Sequence, residues 1–101
     1  MVYNALVNHN QYNNMRKYLQ SIVPAFLSGT QFAQAATCSI RNGVFYSYET
    51  PIAVRRVENG RVVVYLSAAK FSNTTTTQQN AIRSLSHDCK EVKQYELRNM
   101  I

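Results

Sequence analysis

The stretch VFYSYETPIAVRRVENGRVVVYLSAAKFSNTTTTQQNAIRSL, residues 44–85, decides the fold. Asn59-Gly60 lies between two runs rich in β-branched residues. Asn-Gly tolerates the positive φ angles of a two-residue type I′ turn, so the runs form a hairpin. That turn sets the register: Glu58 opposite Arg61, Val57 opposite Val62, Arg56 opposite Val63, Arg55 opposite Val64, Val54 opposite Tyr65. Side chains alternate across a strand. One face therefore carries Ala53, Val57, Val62, Val64 and Leu66, with Arg55 at its margin. The other carries Val54, Arg56, Glu58, Arg61, Val63 and Tyr65. The first is the expected core face and the second a basic, half-wet one.

Upstream, Arg41-Asn42-Gly43 reads as another hairpin turn. The preceding QFAQAATCSI fits either a strand or a short helical extension, and its periodicity does not decide; on the hairpin reading the turn joins a strand over 35–40 to one over 44–50. Pro51 has no N–H to give a ladder, which places it at an edge, a bulge or a strand start. Residues 10–28 read as a helix, with Met15, Tyr18, Leu19, Ile22 and Phe26 on one stripe and Gly29 as its stop. Pro24 is expected to kink or split it. Downstream, the run SNTTTT ends the sheet. Thr75 or Thr76 is expected to cap a helix, with Gln78 or Gln79 completing a capping box. Ile82, Leu85, Cys89 and Val92 continue as its buried stripe to about Lys93. The tail QYELRNMI is read as a short strand in preference to further helix. The expected architecture is α+β in a single domain over 1–101. It has an N-terminal helix, a three- to four-stranded antiparallel sheet built on two Asn-Gly hairpins, and a C-terminal helix packed on one face.

The chain has 101 residues, 11 Lys and Arg against 5 Asp and Glu, and a net charge of +6. A charge of that size on a small domain favours polyanionic partners, although it also serves solubility. Asn and Gln together number 17, more than the 16 charged residues. Amides can read base edges, and they also populate ordinary loops. No run approaches the length of a membrane helix, and residues 1–11 lack the pattern of a secretory leader. A cytoplasmic location and no membrane partner are expected. Cys38 and Cys89 are isolated thiols, read as small buried hydrophobes. His9, His87, Asp88 and Cys89 are too few and too scattered for a zinc site, so neither metal nor other cofactor is expected.

Catalysis finds little support. His87 and Cys89 would point apart on a helix, His9 lies in a polar segment, and no carboxylate pair or glycine-rich phosphate loop is present. A non-enzyme is expected. The candidate binding residues are Arg55, Arg56, Arg61 and Tyr65 on the hairpin, where guanidinium groups could fork onto phosphates and a ring could stack a base. Tyr46, Tyr48 and Arg41 lie near them. A second group is Lys70, Thr75, Thr76 and Arg83. There the threonines either only cap the helix or join its N-terminal N–H groups as an anion site.

Two motifs add a resemblance. Ser47-Tyr48-Glu49-Thr50-Pro51-Ile52-Ala53 and Ser72-Asn73-Thr74-Thr75-Thr76-Thr77-Gln78-Gln79-Asn80 are similar to the Ser-Tyr-x-Thr-Pro-Ile-Ala strand and Ser-x-Thr-Thr-x-x-His-Gln-Asn helix start of a loose group of small, uncharacterised phage and mobile-element proteins. Gln78 stands where that group has histidine. The resemblance covers about 35 residues and implies a viral or mobile-element origin without implying a chemistry. The expected function is a phage-type accessory protein, for host takeover or anti-defence, acting through its basic face on nucleic acid or a nucleic-acid-bearing host complex. The expected partner is nucleic acid or an acidic host protein complex; the alternatives are a protein–protein inhibitor of a host enzyme without nucleic-acid contact, or a nucleotide-binding sponge. A homo-oligomer is compatible with each.

Overall fold

The computed structural model describes residues 15–101; His9 and the first residues of the expected first helix lie outside them. Helix α1 spans Lys17–Ser28 and buries Leu19, Ile22, Val23 and Phe26. It runs through Pro24 in a single segment, and Gly29, at φ 94°, closes it in the left-handed conformation.

Five strands then follow as a meander: β1 (Phe32–Ala35), β2 (Cys38–Arg41), β3 (Val44–Ser47), β4 (Thr50–Glu58) and β5 (Arg61–Ser67). Each joins the next antiparallel through two residues. Helix α2 (Asn73–Leu85) crosses over to β6 (Cys89–Val92), which pairs parallel with β5. A short helix, α3 (Gln94–Asn99), ends the chain. The fold is α+β: among the described residues it has a six-stranded mixed sheet in the order β1 to β6 and three helices.

The β4–β5 register agrees pair for pair with the one set by Asn59-Gly60. Elsewhere the sheet is larger than three or four antiparallel strands. The strand expected over 35–40 divides at the Ala36-Thr37 turn, and the one over 44–50 at Tyr48-Glu49. Pro51 sits at the start of β4 beside a bulge, where Tyr46 pairs with Pro51 and Phe45 with Ala53. The extra residue, Ile52, lets both Ile52 and Ala53 face the main core. Helix α2 stops at Leu85, so Cys89 and Val92 lie on a strand. The tail is helical, because Glu96 Oε1 accepts from the Lys93 N–H at 2.9 Å and caps α3.

The sheet has two unequal sides. On one, α1 and α2 pack over Cys38, Ile40, Phe45, Ile52, Ala53, Val64 and Leu66. On the other, α3 inserts Leu97 between Val44 and Val54, with Tyr46, Tyr65, Val92 and Met100 around it. The helices therefore sandwich the sheet.

Candidate nucleic-acid interface

Paired positions trace one row across the second side: Phe32, Arg41, Val44, Val54, Tyr65, Lys90. Helix α3 packs on β4 and β5 and its Leu97 reaches Val44, so it covers the row from Val44 onward and leaves Phe32 and Arg41 open. Over β1 and β2 the surface stays open, as a concavity of about 640 Å³ lined by Phe32, Gln34, Ser39, Arg41, Tyr48 and Glu49 among others. The Arg41 guanidinium lies 3.8 Å above the Tyr46 ring centroid and donates to Glu49 Oε1 at 3.3 Å. Two further rings, Phe32 and Tyr48, are 65% and 55% exposed. An exposed aromatic is normal singly; here two exposed rings and the Arg41 guanidinium line one concavity.

The backbone around this surface is unusual. Ala36 (φ 52°) and Tyr48 (φ 55°) adopt left-handed conformations without being glycine or asparagine. Such residues carry local strain and recur where a side chain must be aimed. The two turns are neighbours, since the Tyr48 N–H donates to the Thr37 carbonyl. The strain presents Tyr48 at the rim.

The residues expected to bind do not form one surface. Arg55 falls on the core-facing side, where its Nε donates to the Leu27 carbonyl at 2.9 Å. Its guanidinium lies against Gly29, so it serves as a cap for the C-terminus of α1. Arg56 reaches the Met100 carbonyl and pins the end of α3. Arg61 is exposed at the hairpin tip, near Glu58, Asp88 and Lys90. The Tyr65 hydroxyl donates to Glu58 at 2.7 Å, and that carboxylate is the main reason the phenol is held above its usual range. Of the four, Arg55 is excluded from a shared phosphate surface by strand parity.

The threonine run is likewise occupied. Ser72, not Thr75 or Thr76, caps α2, its Oγ accepting from the Thr75 N–H at 3.3 Å. Thr75 is buried and shares a 2.7 Å hydrogen bond with Ser47. The stretches 47–53 and 72–80 thus meet in space. Thr76 and Lys70 are exposed, whereas Arg83 points to Glu91 (2.8 Å) and Asn80 (2.7 Å) at the other end of the helix. Gln78 is fully buried, its Nε2 near the Tyr18 and Thr37 hydroxyls, and its Oε1 has no partner among the described residues. Gln79 donates to the Ser67 and Ala69 carbonyls. These amides tie α2 to α1 and the sheet instead of completing a capping box. Lys70, Thr75, Thr76 and Arg83 do not converge.

Residues 5–98 match a family of unknown function, DUF8033. The chain belongs to that family. No curated protein and no solved structure matches it. Membership thus assigns no chemistry, and the interface rests on its own geometry.

Among the described residues, no group of three or more His, Cys, Asp or Glu is placed to hold a metal, and no helix is long and apolar enough to cross a membrane. Burial pushes the Cys38 thiol up to about 11 and raises that of Cys89. A nucleophile needs the opposite shift. Folding suppresses ionisation of Cys38, so its contribution to stability is whole below pH 9 and disappears as pH rises toward 11. Cys38 is expected to resist iodoacetamide at pH 8 until denaturant opens the core. Fast labelling of the native protein, located by mass spectrometry, would contradict this.

Proposed function

We propose that this chain is a binding protein of the phage or mobile-element type, without catalysis, which takes single-stranded nucleic acid across the open part of its second sheet face. The observation that carries the reading is the stack of Arg41 on Tyr46, flanked by the exposed rings of Phe32 and Tyr48. Bases stack on such rings irrespective of sequence, and the guanidinium meets phosphate. Gln34 and Ser39 add neutral hydrogen-bonding groups inside the same concavity. The net charge of +6 draws a polyanion to the surface. The thiols raised by burial support binding over catalysis. A place of action in the host cytoplasm belongs to the same proposal. The Ser72 and Thr75 hydroxyls are used internally, so a nucleotide sponge draws no support from them.

The test is fluorescence anisotropy with a short labelled single strand, titrated at several salt concentrations. Phe32→Ala and Tyr48→Asn each remove a ring, and asparagine tolerates the left-handed turn. Each is expected to weaken binding by about tenfold, from stacking of about 1–3 kcal/mol per base. Arg41→Ala should flatten the salt slope by about 0.7. A wild-type protein that leaves the strand unbound at low ionic strength would overturn the proposal. Capture of one host protein from a nuclease-treated lysate would then favour the inhibitor reading.

A further inference from the structure

Among the described residues, the two edges of the sheet are β1 and β6, and they are not alike. β6 carries Lys90 and Glu91, the kind of charges that keep an edge from pairing with another chain. β1 is Phe-Ala-Gln-Ala, with no charge, no proline and no bulge in its pairing with β2. It lies within a stretch that has no charged residue between Lys17 and Arg41. Two copies of a chain with net charge +6 can approach along this edge without opposing like charges.

The hydrogen-bond register of the edge is self-complementary. The Gln31 carbonyl accepts from Asn42 on the β2 side. Alternation then turns the backbone groups of Ala33 and Ala35 toward β2 and those of Phe32 and Gln34 outward. The outward residues are two apart. Laid antiparallel about a two-fold axis through Ala33, Phe32 of each copy exchanges both N–H···O bonds with Gln34 of the other. Ala33 meets its own copy at the non-hydrogen-bonded position. The Phe32 rings, largely exposed in the single chain, then lie on one face at a diagonal spacing of about 7–8 Å, within contact for aromatic side chains.

We propose that β1 pairs with β1 of a second copy, joining two six-stranded sheets into one. The open faces of both copies become continuous across the new pair. The edge is short, and a four-residue pairing buries less than a standard obligate interface. Association is therefore reversible and follows concentration. It requires no nucleic acid, so its failure leaves the binding proposal standing, and the reverse holds as well.

Sedimentation equilibrium of the full chain over a wide concentration range, without nucleic acid, should show a monomer–dimer equilibrium. Gln34→Pro removes an outward N–H without touching the β2 ladder, and should raise the dissociation constant at least about tenfold. Phe32→Lys, which puts a charge on the edge, should do the same and guards against a proline variant that fails to fold. Ala33→Cys places two thiols at a pair whose Cα atoms lie about 4.5 Å apart, within disulfide reach. Mild oxidation should cross-link Ala33→Cys into a dimer through residue 33, while Ala35→Cys and the wild type stay uncross-linked. A monomer at every concentration would overturn the proposal. So would cross-linking of Ala33→Cys that persists undiminished with Gln34→Pro added.

Discussion

Phe45→Ala is expected to be the most destabilising single truncation in the main core, at about 3–5 kcal/mol. Phe45 is fully buried on β3, in the middle of the sheet, and its ring meets Phe26 of α1 edge to face. The centroids lie 5.4 Å apart with the planes at 74°. That geometry aims the positive edge of one ring at the negative face of the other, adding about 0.5–1.5 kcal/mol to simple burial. Truncation also leaves a hole that α1 cannot fill without leaving the sheet, since Leu19, Ile22 and Val23 are packed in the same layer. A domain of this size is stable by about 5–15 kcal/mol in all, so a third or more would go. Urea unfolding should show a lower midpoint at an unchanged slope, with Phe45→Leu losing much less. A loss below about 1 kcal/mol would mean that α1 is not seated on β3 as described.

The hairpins divide sharply between those the sequence announces and those it conceals. Asn59-Gly60 and Asn42-Gly43 supply residues that accept positive φ, and a two-residue loop leaves one register. The β4–β5 pairing was therefore readable side chain by side chain. Ala36-Thr37 and Tyr48-Glu49 make equally tight connections with no such residues. Ala36 and Tyr48 take the left-handed conformation at a cost of about 1–2 kcal/mol each, which only the surrounding ladder can offset. That compensation is tertiary and leaves no local mark, so the sequence offers one strand over 35–40 where Ala36-Thr37 turns, and leaves Phe32–Gln34 undecided. β6 was hidden differently. Cys89 and Val92 continue the helical spacing of Ile82 and Leu85, and only a parallel pairing to β5 makes them a strand. Ser86 ends the helix, its hydroxyl donating to the Ile82 carbonyl.

The binding residues were less legible than the fold. Strand parity already put Arg55 on the core-facing side, apart from Arg56 and Arg61. What holds it there is the Leu27 carbonyl, 28 residues earlier in the chain. No spacing rule reveals that contact. Thr75 likewise looks like a free hydroxyl until β3 brings Ser47 beside it. Phe32 carries no signal of its own in the sequence, since its exposure follows from α3 packing on the opposite part of the sheet face. Tyr46 and Arg41 were visible as neighbours of a turn, but their stacking required the register across that turn.

Leu97→Ala is expected to release α3 while leaving the meander folded. Leu97 is the one fully buried side chain of that helix, wedged against Val44 and Val54. Six residues are too few to hold a helix together in water without such an anchor. The other ties are peripheral: Arg56 to the Met100 carbonyl, and Gln94 Nε2 to the Pro51 carbonyl at 2.9 Å. Removing the anchor should cost about 2–5 kcal/mol locally. Because the second core is small and separate from that under α1 and α2, the loss should appear as local opening. Hydrogen exchange should quicken across residues 93–101 and spare the amides of β2 to β4. Dye binding should rise as Val44, Val54 and Tyr65 become exposed. If the proposed strand-binding surface ends where α3 begins, this variant should gain affinity for the single-stranded probe at low salt, since Tyr65 joins the open rings. Uniform loss of protection across the whole sheet would instead show that α3 is integral to the single cooperative unit.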